Sequence, residues 1–187
     1  MVEMTLKNLI VGGGPIPSAI ILKPAPISDD SDVENLSDPA DLAAVGTEIT
    51  LPISVGTADA ANVARAIDSD DIKRPTTHML LAATLEVLGA SLAGVTIERV
   101  EGATFFATLD VVNATGEHHH IDARPSDAVA LAITCDEPIF ASREVLECAG
   151  SPDFDAIEKD ERSREEAKFH DFVEGLSPDD FKAPRQN

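Results

Sequence analysis

Ile121-Asp122-Ala123-Arg124-Pro125-Ser126-Asp127-Ala128-Val129-Ala130-Leu131-Ala132 is the stretch on which the fold turns. Neighbours on a strand face opposite ways, so Asp122 and Arg124 share one face while Ile121 and Ala123 share the other. Pro125 suits the first turn of a helix, where its missing N–H costs nothing. Ser126 and Asp127 then fall where helix N–H groups lack partners and the dipole favours an anion. The apolar run from Ala128 carries the helix to about Thr134. A strand thus becomes a helix at a corner holding two carboxylates, a guanidinium and a hydroxyl. Such a corner is either a self-satisfied ion-pair knot or a site.

Upstream of the corner, three segments read as strands: Val95 to Val100, Thr104 to Val112 and Glu117 to Ala123. Glu101-Gly102 and the turn from Asn113 to Gly116 make them an antiparallel meander. Further upstream, Leu51 to Val55 is a short strand. It runs into a helix capped at Gly56-Thr57, with Ala60, Val63, Ala64 and Ile67 at helical spacing. Thr76 or Thr77 opens a second helix with Leu81, Leu85 and Leu88 on one stripe, closed by Gly89. Downstream, Pro138 to Ala141 is one more strand, and Ser142 caps a helix ending at Gly150. Residues 4–11 and 18–23 pair across Gly12-Gly13-Gly14-Pro15. That turn is not a phosphate loop, because no Lys-Ser/Thr follows it.

The expected class is α+β, a mixed and largely antiparallel sheet flanked by helices. Residues 1–150 form the expected domain, with 24–47 as an acidic inserted loop. Residues 151–187 form an acidic C-terminal helical extension. There Phe169, Phe172, Val173 and Leu176 share one face of an amphipathic helix.

Composition narrows the function classes. With 43% apolar residues and neither Trp nor Tyr among 187, the core must be aliphatic. A net charge of −20 argues against general electrostatic capture of DNA or RNA. The acid collects in residues 28–48 and 151–187, so an anionic ligand would bind the more balanced middle. No apolar run is long enough to span a membrane, and the opening residues lack the marks of a signal peptide. Cys135 and Cys148 read as isolated thiols, reduced and buried, and the expected location is cytoplasmic.

Four groups of residues could carry chemistry. Asp122, Arg124, Ser126 and Asp127 form the corner itself; its bland reading is an Arg–carboxylate fork with Asp127 capping the helix. In Arg74-Pro75-Thr76-Thr77-His78, a cation precedes a helix start that carries a His in its first turn, which suits a phosphate and a proton carrier. The bland reading there is a cap beside an exposed His. His118, His120 and Asp122 alternate onto one strand face and are weak metal-ligand candidates against ordinary surface decoration. Asp59, at the start of the first helix, is by itself a dipole-compensating acid.

Together these residues resemble the bifunctional nuclease family. The matching pieces are Leu51 to Gly56, Asp59-Ala60, Arg74 to His78, Leu88-Gly89-Ala90, Gly102 to Ala107, Ile121 to Ala128, Pro138-Ile139 and Glu144-Val145-Leu146. The match is dense over residues 50–150. Three positions depart from the family pattern: Asp59 where Glu is usual, Met79 where an Asp follows the His, and Phe106 where Tyr is usual. The resemblance implies an α+β domain and a nuclease acting on DNA and RNA. In that reading His78, Asp122, Asp127 and Asp59 are catalytic candidates. Arg74, Arg124 and Ser126 hold the substrate, and Mg²⁺ or Mn²⁺ assists. The alternative is a non-catalytic ligand- or protein-binding regulatory domain that keeps the fold. A homodimer or a protein partner would use the C-terminal helix.

Overall fold

A computed structural model describes residues 1–13, 17–26, 49–69 and 72–153. Two compact units are distinguished, Met1–Pro152 and Asp153–Asn187, and the fold below is that of the first. Most of the acidic loop and the whole C-terminal helix expected from sequence lie outside the described residues.

The elements follow in the order β1 (Val2–Ile10), β2 (Ser18–Pro24), β3 (Ile49–Val55), α1 (Thr57–Ile67), α2 (Thr77–Val87), β4 (Ser91–Glu101), β5 (Thr104–Val112), β6 (His118–Ala123), α3 (Pro125–Cys135), β7 (Ile139–Ala141), α4 (Arg143–Ala149) and β8 (Ser151–Pro152). They form an eight-stranded mixed sheet in the order β6-β5-β4-β7-β1-β2-β3-β8. The β4–β7 pair is parallel, and the other neighbours are antiparallel.

Helix α3 occupies the centre of the helical layer. Every residue from Ala128 to Ala132 is buried. Its alanines at 128, 130 and 132 let neighbouring backbones approach closely, and α1 and α2 both pack against it. Beneath lie Ile20, Leu22, Leu51, Ile53, Val95 and Ile97, all essentially inaccessible to solvent. Each such side chain contributes about 1.5–3 kcal/mol on burial.

Two inward stripes differ from the expected ones. On α1, Ala60, Val63 and Ala66 face the core, while Ile67 is about half exposed. On α2, His78 is buried and Leu85 half-buried, whereas Leu81 and Leu88 face solvent. Helical spacing alone allowed two stripes on α2, because this helix is apolar nearly all round. Burial was also misread for one thiol: Cys148 is exposed and Cys135 half-buried.

The sheet is strongly curled. Six strand spacings separate β6 from β3 in the sheet order, about 29 Å if the sheet were flat at roughly 4.8 Å per strand. Yet Arg124, just after β6, reaches Asp59, just after β3, with Nη1 and Oδ1 3.2 Å apart. Coiling of the sheet brings its two flanks round until the ends of β3 and β6 face each other.

Candidate functional site

The site is the seam where that curl closes. β3 ends at Val55 and passes through Gly56 into α1; β6 ends at Ala123 and passes through Arg124 into α3. Neither helix start has a side-chain cap: Gly56 and Arg124 are the N-cap residues, the first has no side chain, and the second offers no acceptor to the backbone N–H groups of the first turn. The expected capping by Asp127 is therefore not what its carboxylate does. At α3 the N–H groups of Asp127 and Ala128 both turn back to the Arg124 carbonyl, and Pro125 has none. Two helix starts, each with a positive dipole end, thus face one seam.

Between them lies a cleft of about 250 Å³. Its walls include Gly56 and Asp59 from α1, Thr104 and Phe105 from β5, and Arg124 and Ser126 from the corner. Gly56 is tight: a Cβ there would lie 3.0 Å from Asp59 Oδ2. Ser126 is buried and lines the cleft, and its hydroxyl has no hydrogen-bond partner among the described residues.

Arg124 joins the two flanks. Its Nε donates to Asp127 Oδ2 at 2.8 Å, and one terminal nitrogen donates to Asp127 Oδ1 at 3.2 Å. The other pairs with Asp59. The hydrogen bonds and charge of Asp127, then the charge of Asp59, raise the guanidinium further above its ordinary value, so it stays protonated. Nearly two thirds of the side chain remains exposed, so a face of the cation is open to the cleft.

Behind Arg124 stands His78. It is 6% exposed, and its Nε2 lies 3.2 Å from Asp127 Oδ1. That hydrogen bond fixes the carboxylate from the α2 side. His78 and Asp127 are not walls of the cleft; they support the group that is. With His78 neutral, Asp59, Asp127 and Arg124 sum to one negative charge. A proton on His78 brings the sum to zero.

The structure gathers Asp59, His78, Arg124, Ser126 and Asp127, and leaves the other candidates apart. Asp122 is exposed on β6 opposite Thr108 and forms no ion pair with Arg124. Strand alternation put the two on one face, but the guanidinium swings to the helix side. Arg74 is exposed in the segment before α2, with no hydrogen bond or ion pair among the described residues. His118 leans on Asp110 at 2.8 Å, and His120 stands 3.9 Å from the same carboxylate. No three His, Cys, Asp or Glu side chains among the described residues gather at a spacing that could hold a metal. The cleft walls Thr104 and Phe105 fall in the family match but were not among the site candidates, because nothing local on β5 marks which residues a curled sheet brings beside β3.

Residues 42–153 match the family model described as the bifunctional nuclease domain, a span that contains every residue of the cleft. The chain belongs to the bifunctional nuclease domain family. It is also similar to two uncharacterized proteins of Mycobacterium tuberculosis, one from each of two strains. Each is 37% identical over 137 residues, covering 71% of this chain and 81% of the relative.

Two of this chain's departures from the bifunctional nuclease pattern now have a physical place. Met79 is the N3 residue of α2. Its N–H donates to Thr76 Oγ1, and its sulfur accepts from the Thr76 N–H, 3.5 Å away. Glu or Gln is the ordinary N3 partner in such a capping box, and here the sulfur of Met79 takes that place. Phe106 stacks under the Arg99 guanidinium, 3.4 Å from ring centre to charge, and is not a wall of the cleft. Among the described residues no helix is long and apolar enough to cross a membrane.

Proposed function

We propose that this chain is a nuclease that hydrolyses phosphodiester bonds of DNA or RNA in the cleft between the starts of α1 and α3. The observation that carries the reading is Arg124. A permanently charged fork is held by two carboxylates at the mouth of a cleft faced by two uncapped helix starts. Arg124 takes non-bridging oxygens of the scissile phosphate and stabilises the charge that builds there. Ser126 donates its free hydroxyl. Asp59, on the cleft wall, takes a proton from the attacking water and returns it to the leaving oxygen as the P–O bond breaks. Asp127, steadied by His78, keeps Arg124 in position.

Mg²⁺ or Mn²⁺ would supply Lewis-acid assistance if carboxylates were free to hold it. The described residues offer a metal two carboxylates at this place, Asp59 and Asp127, and both are engaged by Arg124. Among the described residues they do not build a metal cage.

Two observations favour the alternative, a regulatory domain that binds a small anion without turnover. The net charge of −20 opposes long nucleic acids, and both carboxylates are already satisfied. The test is cleavage of labelled single- and double-stranded DNA and RNA with Mg²⁺, Mn²⁺ or EDTA. Wild type would run beside Asp59→Asn and Arg124→Lys, purified identically. Activity in wild type that falls in both variants supports the proposal. Equal activity in all three places the chemistry elsewhere or in a contaminant. Binding without cleavage under every condition leaves the regulatory domain.

A further inference from the structure

Helix α2 carries an apolar face that the described fold does not cover. Leu80 is 59% exposed, Leu81 40%, Val87 85% and Leu88 73%. Four of the large apolar side chains in solvent thus stand on three turns. Leu80, Thr84 and Val87 follow one another at helical spacing and form a seam, bordered by Ala83 on one side and Leu81 and Leu88 on the other. No charged side chain lies on that seam. The two ends differ. Lys73 and Arg74 precede the helix, exposed and without an ion pair among the described residues; Glu86 stands on the flank near its far end, exposed and likewise without an ion pair among the described residues.

We propose that this face is the contact between two copies of the chain, with the two α2 helices antiparallel about a twofold axis. Three features point to a second copy rather than a different partner. An antiparallel arrangement sets the Lys73 and Arg74 end of each copy beside the Glu86 end of the other, so the charge match is made twice. A uniformly basic or acidic partner matches one end and clashes with the other. The seam is uncharged in a chain of net charge −20, so two copies approach there with less repulsion than across a charged face. Leu, Thr and Val are also self-complementary in size, as an isologous contact requires. A three-turn seam is small beside the roughly 1,200 Å² of a stable interface, so the pair forms at micromolar concentrations or above. The proposal stands apart from the cleft and does not depend on nuclease activity.

Sedimentation equilibrium of the full chain, from micromolar to millimolar concentration, tests it. Wild type is expected to shift from monomer to dimer. Leu80→Glu and Val87→Glu, both at exposed positions, are expected to stay monomeric while keeping the wild-type far-ultraviolet circular dichroism. Arg74→Glu should weaken the dimer about tenfold, an effect of 1.4 kcal/mol, and adding Glu86→Arg should restore it. A monomer at every concentration overturns the proposal. So does a dimer that survives Val87→Glu, or a double charge swap no better than the single one.

Discussion

Arg124→Ala separates a binding role from a structural one. The side chain makes two ion pairs, one bidentate to Asp127 and one to Asp59, yet nearly two thirds of it is in solvent. Exposed pairs are worth about 0.2–1 kcal/mol each, so the variant should lose only about 0.5–2 kcal/mol of stability. At the cleft the same change removes a charge-assisted fork to phosphate, worth about 1.5–3 kcal/mol, or roughly 10- to 150-fold in Kd. The assay is fluorescence anisotropy of a labelled single-stranded oligonucleotide across a salt series, paired with urea denaturation. Affinity should fall by that factor, and the slope of log K against log salt should lessen by about 0.7, the loss of one phosphate contact. A folded variant with unchanged affinity and slope refutes the reasoning. A stability loss well above about 3 kcal/mol would instead make Arg124 the clasp of the curled sheet.

Met79→Glu should stabilise the protein by about 0.5–1 kcal/mol, read as a raised urea midpoint at constant m-value, because a carboxylate replaces sulfur in the capping box. Leu131→Ala, at a side chain 1% exposed on α3, should cost about 2–5 kcal/mol in the same experiment. The two thiols should separate under limiting iodoacetamide, followed by peptide mass spectrometry. Cys148 is exposed, while burial and then Glu137 push the Cys135 thiol up. At mildly alkaline pH Cys148 should be alkylated first, with Cys135 following as the pH rises. Because the folded state holds the Cys135 proton more tightly, its contribution to stability is full below the thiol's ordinary pKa and is lost as pH climbs past it.

Local rules were enough wherever a residue's neighbours in sequence are also its neighbours in space. Pro125 opens α3, Thr76 and Ser142 cap their helices, and the turns at Gly102-Ala103 (one residue beyond the expected Glu101-Gly102) and Asn113–Gly116 fold β4, β5 and β6 into a meander. Alternation and helical period are properties of the backbone, so the α+β class and most element bounds were legible. The Arg124–Asp127 fork was legible too, its partners being three positions apart. Tertiary structure decided the rest. Which face of α2 points inward could not be read from a helix apolar on nearly every side; packing against α3 chose His78 and Leu85, and left Leu81 and Leu88 outside. Asp122 and Arg124 share a strand face on paper, but Arg124 lies one residue past the strand, and a residue that becomes a helix cap no longer obeys the pleat. Above all, Asp59 and Arg124 are 65 positions apart and six strand spacings apart in the sheet. Only the accumulated twist of that sheet closes the distance to 3.2 Å, and no pattern within either segment encodes it.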